Sequence, residues 1–145
     1  MKRTEDPIIV EQLFNSTANE VWQAITELKF MKQWYFDNIE AFIPEVGFET
    51  DFIVRSEDRI FPHFWKITEV IPYKKISYDW EFDGYEGKSN VSFDIIEDDH
   101  GSLLRVTNTV IEDFNDDISE FRAESCRGGW NYFINDRLKT YLENK

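Results

Sequence analysis

From Phe48 to about Val110 the chain alternates apolar and polar residues, and the turn-like stretches "SEDR", "PYKK", "DGYEG" and "EDDHGS" interrupt the alternation. This pattern predicts strands over Phe48–Ser56, Phe61–Ile71, Lys75–Phe82, Asn90–Ile96 and Leu103–Val110. Strands joined by turns this short must be antiparallel neighbours, because a parallel pair needs a long crossover. Ile76, Tyr78, Trp80 and Phe82 share one face of the third of these strands. Val91, Phe93 and Ile95 share a face in the next, and Leu104, Val106, Asn108 and Val110 in the last. One face of a meandering sheet is therefore apolar and aromatic.

The flanking segments are built to cover that face. Ile8 to Phe14 reads as a first strand, and Thr17 with Glu20 forms a capping box that opens a helix carrying Ala18, Val21, Trp22 and Ile25 on one side. A second short helix over Leu28–Trp34 presents Phe30, Met31 and Trp34 to the same interior. The last segment, Asp117 to Asn144, reads as one helix roughly 40 Å long at 1.5 Å per residue. A sheet of six or seven strands is about 30 Å across, so the helix can cross all of it. Ala123, Trp130, Ile134, Leu138 and Tyr141 mark its inward stripe, with Cys126 and Phe133 beside it. The 145 residues then form a single α+β domain, 1–145: a curved antiparallel sheet around a long C-terminal helix, with two short helices after strand one.

Within that helix Gly128 and Gly129 stand together, each costing roughly 0.5–1 kcal/mol relative to alanine. Close approach of the helix to the sheet or a loop is the expected reason, with Trp130 walling the adjacent space. On that reading a leucine at Gly129 overpacks and destabilises the fold.

The chemistry-bearing residues point away from several function classes. A net charge of -13 repels phosphate backbones and anionic lipid, so neither nucleic acid nor membrane is an expected partner. No apolar run approaches the ~18 residues of a membrane span, and the N-terminus lacks a signal-peptide core, so a cytoplasmic location is expected. Cys126 is the single cysteine, and it is read as a small buried hydrophobe rather than a nucleophile served by His63 or His100. Asp113, Asn115, Asp117 and Glu124 fall at calcium-loop spacing, but Ile118 occupies the position where the turn demands glycine. The same stretch serves as an acidic helix start, with Asp117 as N-cap and Glu120 three residues on. Alternation places Asp94 and most other strand acids outward, whereas Glu69 shares strand parity with Ile67 and Ile71, and the sequence pattern leaves open which face that is. No metal, cofactor or catalytic residue is expected.

The 13 Phe, 6 Tyr and 5 Trp residues exceed what a core of this size needs on average. A cavity between sheet and C-terminal helix is the expected use of the surplus. Its candidate lining residues are Trp34, Phe52, Phe64, Trp65, Tyr78, Trp80, Phe93, Val106, Asn108, Trp130, Phe133 and Ile134. Tyr78 and Asn108 are the candidate polar contacts, and complete filling by the aromatic side chains is the competing outcome.

Three stretches also resemble a known family. "TANEVWQAIT" with "KFMKQWYF", "KITEVIPYKKISYDW" and "GGWNYFINDRLKTYLE" are similar, in order and spacing, to the START-like (SRPBCC) superfamily. Within it they resemble the C-terminal domain of the heat-shock protein 90 ATPase activator. The resemblance implies a helix-grip (START-like, Bet v-type) fold with a hydrophobic cavity. Trp65 stands where many relatives have glycine, implying a smaller cavity, and Asn108 stands where a histidine is common. The expected function is non-enzymatic binding of a small apolar or amphipathic molecule, by a monomer or homodimer. The alternatives are a co-chaperone-like interaction module and a cyclase-type enzyme. Because the activator carries a separate chaperone-binding domain, this chain is expected not to stimulate a chaperone ATPase at low micromolar concentration. A coupled ATPase assay at low and moderate salt tests that expectation.

Overall fold

A computed structural model describes residues 1–144. Strand β1 (Ile8–Phe14) is followed by helices α1 (Ala18–Thr26) and α2 (Leu28–Trp34). Five strands come next: β2 (Glu49–Ser56), β3 (Arg59–Ile71), β4 (Lys75–Phe82), β5 (Lys88–Asp98) and β6 (Gly101–Glu112). A 3-10 turn (Ser119–Phe121) leads into a C-terminal helix composed of α3 (Ala123–Trp130), a π-helical stretch (Asn131–Leu138) and α4 (Lys139–Glu143). The sheet order is β1-β6-β5-β4-β3-β2, and every adjacent pair is antiparallel. This is the helix-grip α+β fold. Strands β3, β5 and β6 each begin two residues before the alternation predicts, because backbone pairing runs on into the turns whatever the side chains there.

The predicted inner face is observed: Ile76 and Tyr78, Val91 and Phe93, Leu104 and Val106 are all buried. β3 departs from simple alternation. His63, Trp65 and Ile67 are buried, but the register against β4 then slips between Ile67 and Glu69. This bulge reverses the parity, so Val70 packs on the core while Glu69 is exposed and pairs with Lys75 at 3.0 Å. Glu69 therefore points outward, contrary to the parity count.

Local signals hold for the two short helices. The Thr17 hydroxyl accepts from the Glu20 amide (3.1 Å), and the Thr17 amide donates to the Glu20 carboxylate (3.0 Å). In α2, Met31 and Trp34 are buried, and the Trp34 indole donates to the Ala24 carbonyl at 2.7 Å.

The C-terminal helix starts later than predicted. Arg122, not Asp117, is its N-cap, without a side-chain cap bond. Phe121 is buried against Phe61 and Phe82, with ring centroids 5.4 and 5.0 Å away, and Phe114 lies 5.3 Å from it. Glu120 reaches Arg59 (2.6 Å) and Ser56 (3.0 Å) instead of a helix end. Burying a phenylalanine contributes about 1.5–3 kcal/mol, more than the ~1 kcal/mol of a typical cap, so the chain stays irregular until Phe121 is seated.

Beyond that start, the fully inward positions are Trp130, Ile134, Leu138 and Leu142, with Tyr141 only partly buried against Phe30. Four residues overshoot an α-helical turn by about 40°, so a repeat of four drifts off one face. The wider π turn counters that drift and keeps the stripe on the sheet. The helix also covers the β1 edge. Asn135 donates to the Glu11 carbonyl (2.9 Å) and Arg127 to that of Ile9 (3.3 Å), satisfying acceptors that an edge strand leaves open.

His63 is buried on the inner face, between Phe52 (4.9 Å) and Phe82 (4.7 Å), with Nδ1 2.9 Å from the Phe61 carbonyl. Burial lowers its pKa to about 4, so the folded state holds it neutral. The unfolded chain takes up the proton near pH 6.5. The stability from keeping His63 neutral is thus complete above about 6.5 and is lost as pH falls toward about 4. Urea unfolding between pH 7 and 4 is expected to lose roughly 3 kcal/mol from this group, and His63→Phe is expected to remove that part of the decline. Parallel pH profiles for parent and variant would contradict the assignment.

Candidate functional site

Most of the space beneath the sheet is filled by the chain itself. Tyr35, just after α2, stacks on Trp34 (centroids 4.5 Å) and on Trp65 (5.4 Å) and meets Phe133 edge-on (5.0 Å). Its hydroxyl lies 2.9 Å from that of Tyr78 in a buried pair. Burial raises both phenol pKa values above the ordinary range, so each stays protonated and satisfies the other. Tyr78 is thereby a core hydrogen bond rather than a free polar contact. Trp34, Phe52, Trp65, Tyr78, Phe93, Val106 and Ile134 all belong to this packed core and do not border the cavity described below. Phe64 lies off the interior altogether. Successive residues of a strand face opposite ways, and Trp65 takes the inner side while Phe64 borders an open depression with Asp51, Pro62 and Asp83.

A cavity of about 150 Å³ remains between the C-terminal helix and the β4–β6 part of the sheet. Trp80 and Phe82 of β4, Ser89 of β5 and Asn108 of β6 form its floor. Cys126, Gly129, Trp130 and Phe133 of the C-terminal helix close it above, while Phe36, Met1, Phe114, Glu120 and Phe121 form its sides. Four of the residues nominated from sequence are here: Trp80, Asn108, Trp130 and Phe133. The segment before the C-terminal helix supplies Phe114, Glu120 and Phe121, which strand alternation cannot reach. The aromatic density of "DFNDDISEF" was their one visible signal.

The floor carries two polar atoms without a protein partner. Asn108 is only 4% exposed and its Nδ2 donates to no protein acceptor; the buried Nε1 of Trp80 is likewise unpaired. The Trp65 indole N–H is a third such donor, away from this space. An unpaired buried donor costs about 1–3 kcal/mol. The register sets the two floor donors around Ser89: Trp80 pairs directly with Ser89, and Asn108 pairs with Val91, two residues further along β5.

The titratable groups are inactive or engaged. Burial pushes the Cys126 thiol up to about 11, so it is protonated at neutral pH, and no histidine borders the cavity with it. Partial burial raises the Glu120 pKa, but its own backbone amide, Ser56, Ser119 and Arg59 together bring it below the ordinary value. The Met1 ammonium is held by Asp116 (2.5 Å) and the Phe121 carbonyl (2.6 Å). Among the described residues no group of three or more His, Cys, Asp or Glu could hold a metal ion.

The glycine pair has a different meaning from the one expected. A Cβ at Gly128 or Gly129 meets nothing within 4 Å, so neither makes a close contact. Both are exposed, and Gly129 borders the cavity, so the absent side chain leaves room at its edge. Gly129→Ala is therefore expected to raise stability by up to ~1 kcal/mol in urea unfolding, through helix propensity alone. Gly129→Leu is expected to melt at or above the parent temperature; a clear loss in both variants would restore the close-contact explanation.

Among known proteins, the family model described as "Activator of Hsp90 ATPase homolog 1-like protein" matches residues 15–143. No curated protein matches the sequence. Protein MLL2253 from Mesorhizobium loti is 20% identical, with 96% of this chain and 98% of that one covered and a TM-score of 0.78. The Aha1 dimer from Colwellia psychrerythraea is 21% identical, with coverages of 96% and 97% and a TM-score of 0.72. DynU16, from the dynemicin biosynthetic locus, is 23% identical with a TM-score of 0.76; 96% of this chain aligns, spanning only 48% of DynU16. At these identities the structural likeness concerns the fold. The family match rests on the sequence from Asn15 to Glu143, and on it the chain belongs to the family of Activator of Hsp90 ATPase homolog 1-like proteins.

Proposed function

We propose that this protein binds a small apolar or amphipathic molecule, without catalysis, in the cavity between the C-terminal helix and strands β4 to β6. The observation that carries the reading is an aromatic-walled space whose floor holds two buried, unpartnered donors, Asn108 Nδ2 and Trp80 Nε1. A filled core leaves no such space, and a purely structural void gains nothing from polar atoms in it. Ligand pockets combine these features: apolar walls and a few placed polar groups. The buried thiol of Cys126 and the engaged carboxylate of Glu120 leave no acid–base pair at the cavity, which favours a binder over a cyclase-type enzyme. DynU16, a structural neighbour, comes from a biosynthetic locus, a setting that agrees with the handling of small molecules.

The family description also suggests a co-chaperone-like interaction module. The two readings separate in one set of measurements. Native mass spectrometry is expected to show a co-purifying small molecule, or a thermal-shift panel of lipids and aromatic metabolites a rise in melting temperature. A ligand at a hundredfold its Kd adds about 2.7 kcal/mol to native stability, enough for a shift of several degrees. No bound mass and no shift across the panel, together with salt-sensitive stimulation of a chaperone ATPase, would put the interaction module first.

A further inference from the structure

The floor of the cavity selects among apolar ligands. Resting on the binding reading above, we infer that the ligand class is a neutral, single-ring aromatic compound bearing a carbonyl oxygen that accepts from the Trp80 indole N–H and the Asn108 side-chain N–H.

Size comes first. Apolar protein cavities of about 150 Å³ accommodate a benzene-sized molecule, so one ring with a short substituent fits the space. The walls suit a ring: Trp130 sits edge-on to Trp80 (centroids 5.7 Å, 78° between planes), and Phe133 packs against Phe36 at 4.9 Å. Aromatic groups in this tilted arrangement favour another ring over an alkyl chain.

Polarity comes second. An indole N–H can only donate, and the unpaired nitrogen of Asn108 is also a donor, so an acceptor on the ligand is what satisfies these two groups. Both residues lie on the inner face, two strands apart and staggered by two residues, about 12 Å between backbones, with Ser89 opposite Trp80 on the strand between them. A carbonyl oxygen has two lone pairs and suits either donor or both.

Charge comes third. No lysine, arginine or histidine borders the cavity, and the Met1 ammonium there is neutralised by Asp116. Glu120 borders the space as a carboxylate paired to Arg59. Burying an anion beside that carboxylate, in a chain of net charge -13 and with only neutral polar groups to meet it, is strongly unfavourable. The acceptor is therefore an uncharged ketone, aldehyde or amide oxygen rather than a carboxylate.

Three probes of similar shape test the inference on the intact protein: acetophenone, ethylbenzene and benzoate. Ethylbenzene is the more hydrophobic, so apolar burial alone ranks it first. The expected order is the reverse, with acetophenone bound at least tenfold more tightly than ethylbenzene and benzoate not bound, measured by calorimetry or NMR titration. In proton–nitrogen correlation spectra the Trp80 indole and Asn108 side-chain amide signals are expected to move with acetophenone and not with ethylbenzene. Trp80→Phe and Asn108→Leu are each expected to shrink the acetophenone preference several-fold. The spectra of the parent decide the matter even where a variant fails to fold. Equal or tighter binding of ethylbenzene, with Trp130 and Phe133 signals shifting, overturns the acceptor assignment and leaves the cavity reading standing. Preferential benzoate binding also overturns it. No response to any probe at millimolar concentration overturns both.

Discussion

The pairing of β1 with β6 is the constraint on which the rest of the molecule depends. It joins Ile8 to Asn108 and Phe14 to Ser102, across about a hundred residues of chain. Because β2 lies at the opposite edge, the two helices and the loop after them must cross from one edge of the sheet to the other. That crossing seats Trp34, Tyr35 and Ile39 under the sheet as buried residues. The same pairing gives the C-terminal helix an edge to cover, through Asn135 and Arg127, and so fixes its place over the inner face. The turn between β5 and β6 is locked beneath the corner after β1. Gly101 has a φ of +140°, any Cβ there would collide with the Phe14 carbonyl, and Ser102 donates to the Ser16 carbonyl at 2.9 Å.

The interior is divided unequally by what the large side chains do. Around Tyr35 the rings of Trp34, Trp65 and Phe133 close the space almost completely, and the two phenols there, Tyr35 and Tyr78, hydrogen-bond to each other. Trp65 in particular fills the space beneath β3 and β4, against Tyr78 and Trp80. Toward the start of the C-terminal helix the filling stops. Gly129 contributes no side chain, and Phe114 and Phe121 reach the space only from the side. The cavity is thus displaced to the β4–β6 end, with Asn108 and Trp80 beneath it. Its position follows from which residues are large.

Two local signals were overridden for one physical reason: tertiary packing outweighed them. Asp117 and Glu120 have the spacing of a helix start, yet seating Phe121 delays the helix to Ala123, and Glu120 is drawn to Arg59. Glu69 has the parity of buried Ile67, yet the bulge between the two turns the strand over. The glycine pair was visible in the sequence but its cause was not. A glycine marks a missing side chain equally well where space is scarce and where space is left open, and only the surroundings distinguish the two.

What the sequence by itself determined is the order and kind of elements: apolar alternation, short turns, a capping box and an inward stripe are local patterns, and local hydrogen bonding and burial obey them. It also singled out Trp80, Asn108, Trp130 and Phe133, whose parity or helical phase points them inward. Only the tertiary structure decided which inward residues are packed and which border open space. That depends on the volume left after all side chains are placed, a sum over contacts between segments far apart in the chain. The same holds for the unpaired state of Asn108 Nδ2 and Trp80 Nε1, since a missing partner is a property of everything nearby and not of the residue itself.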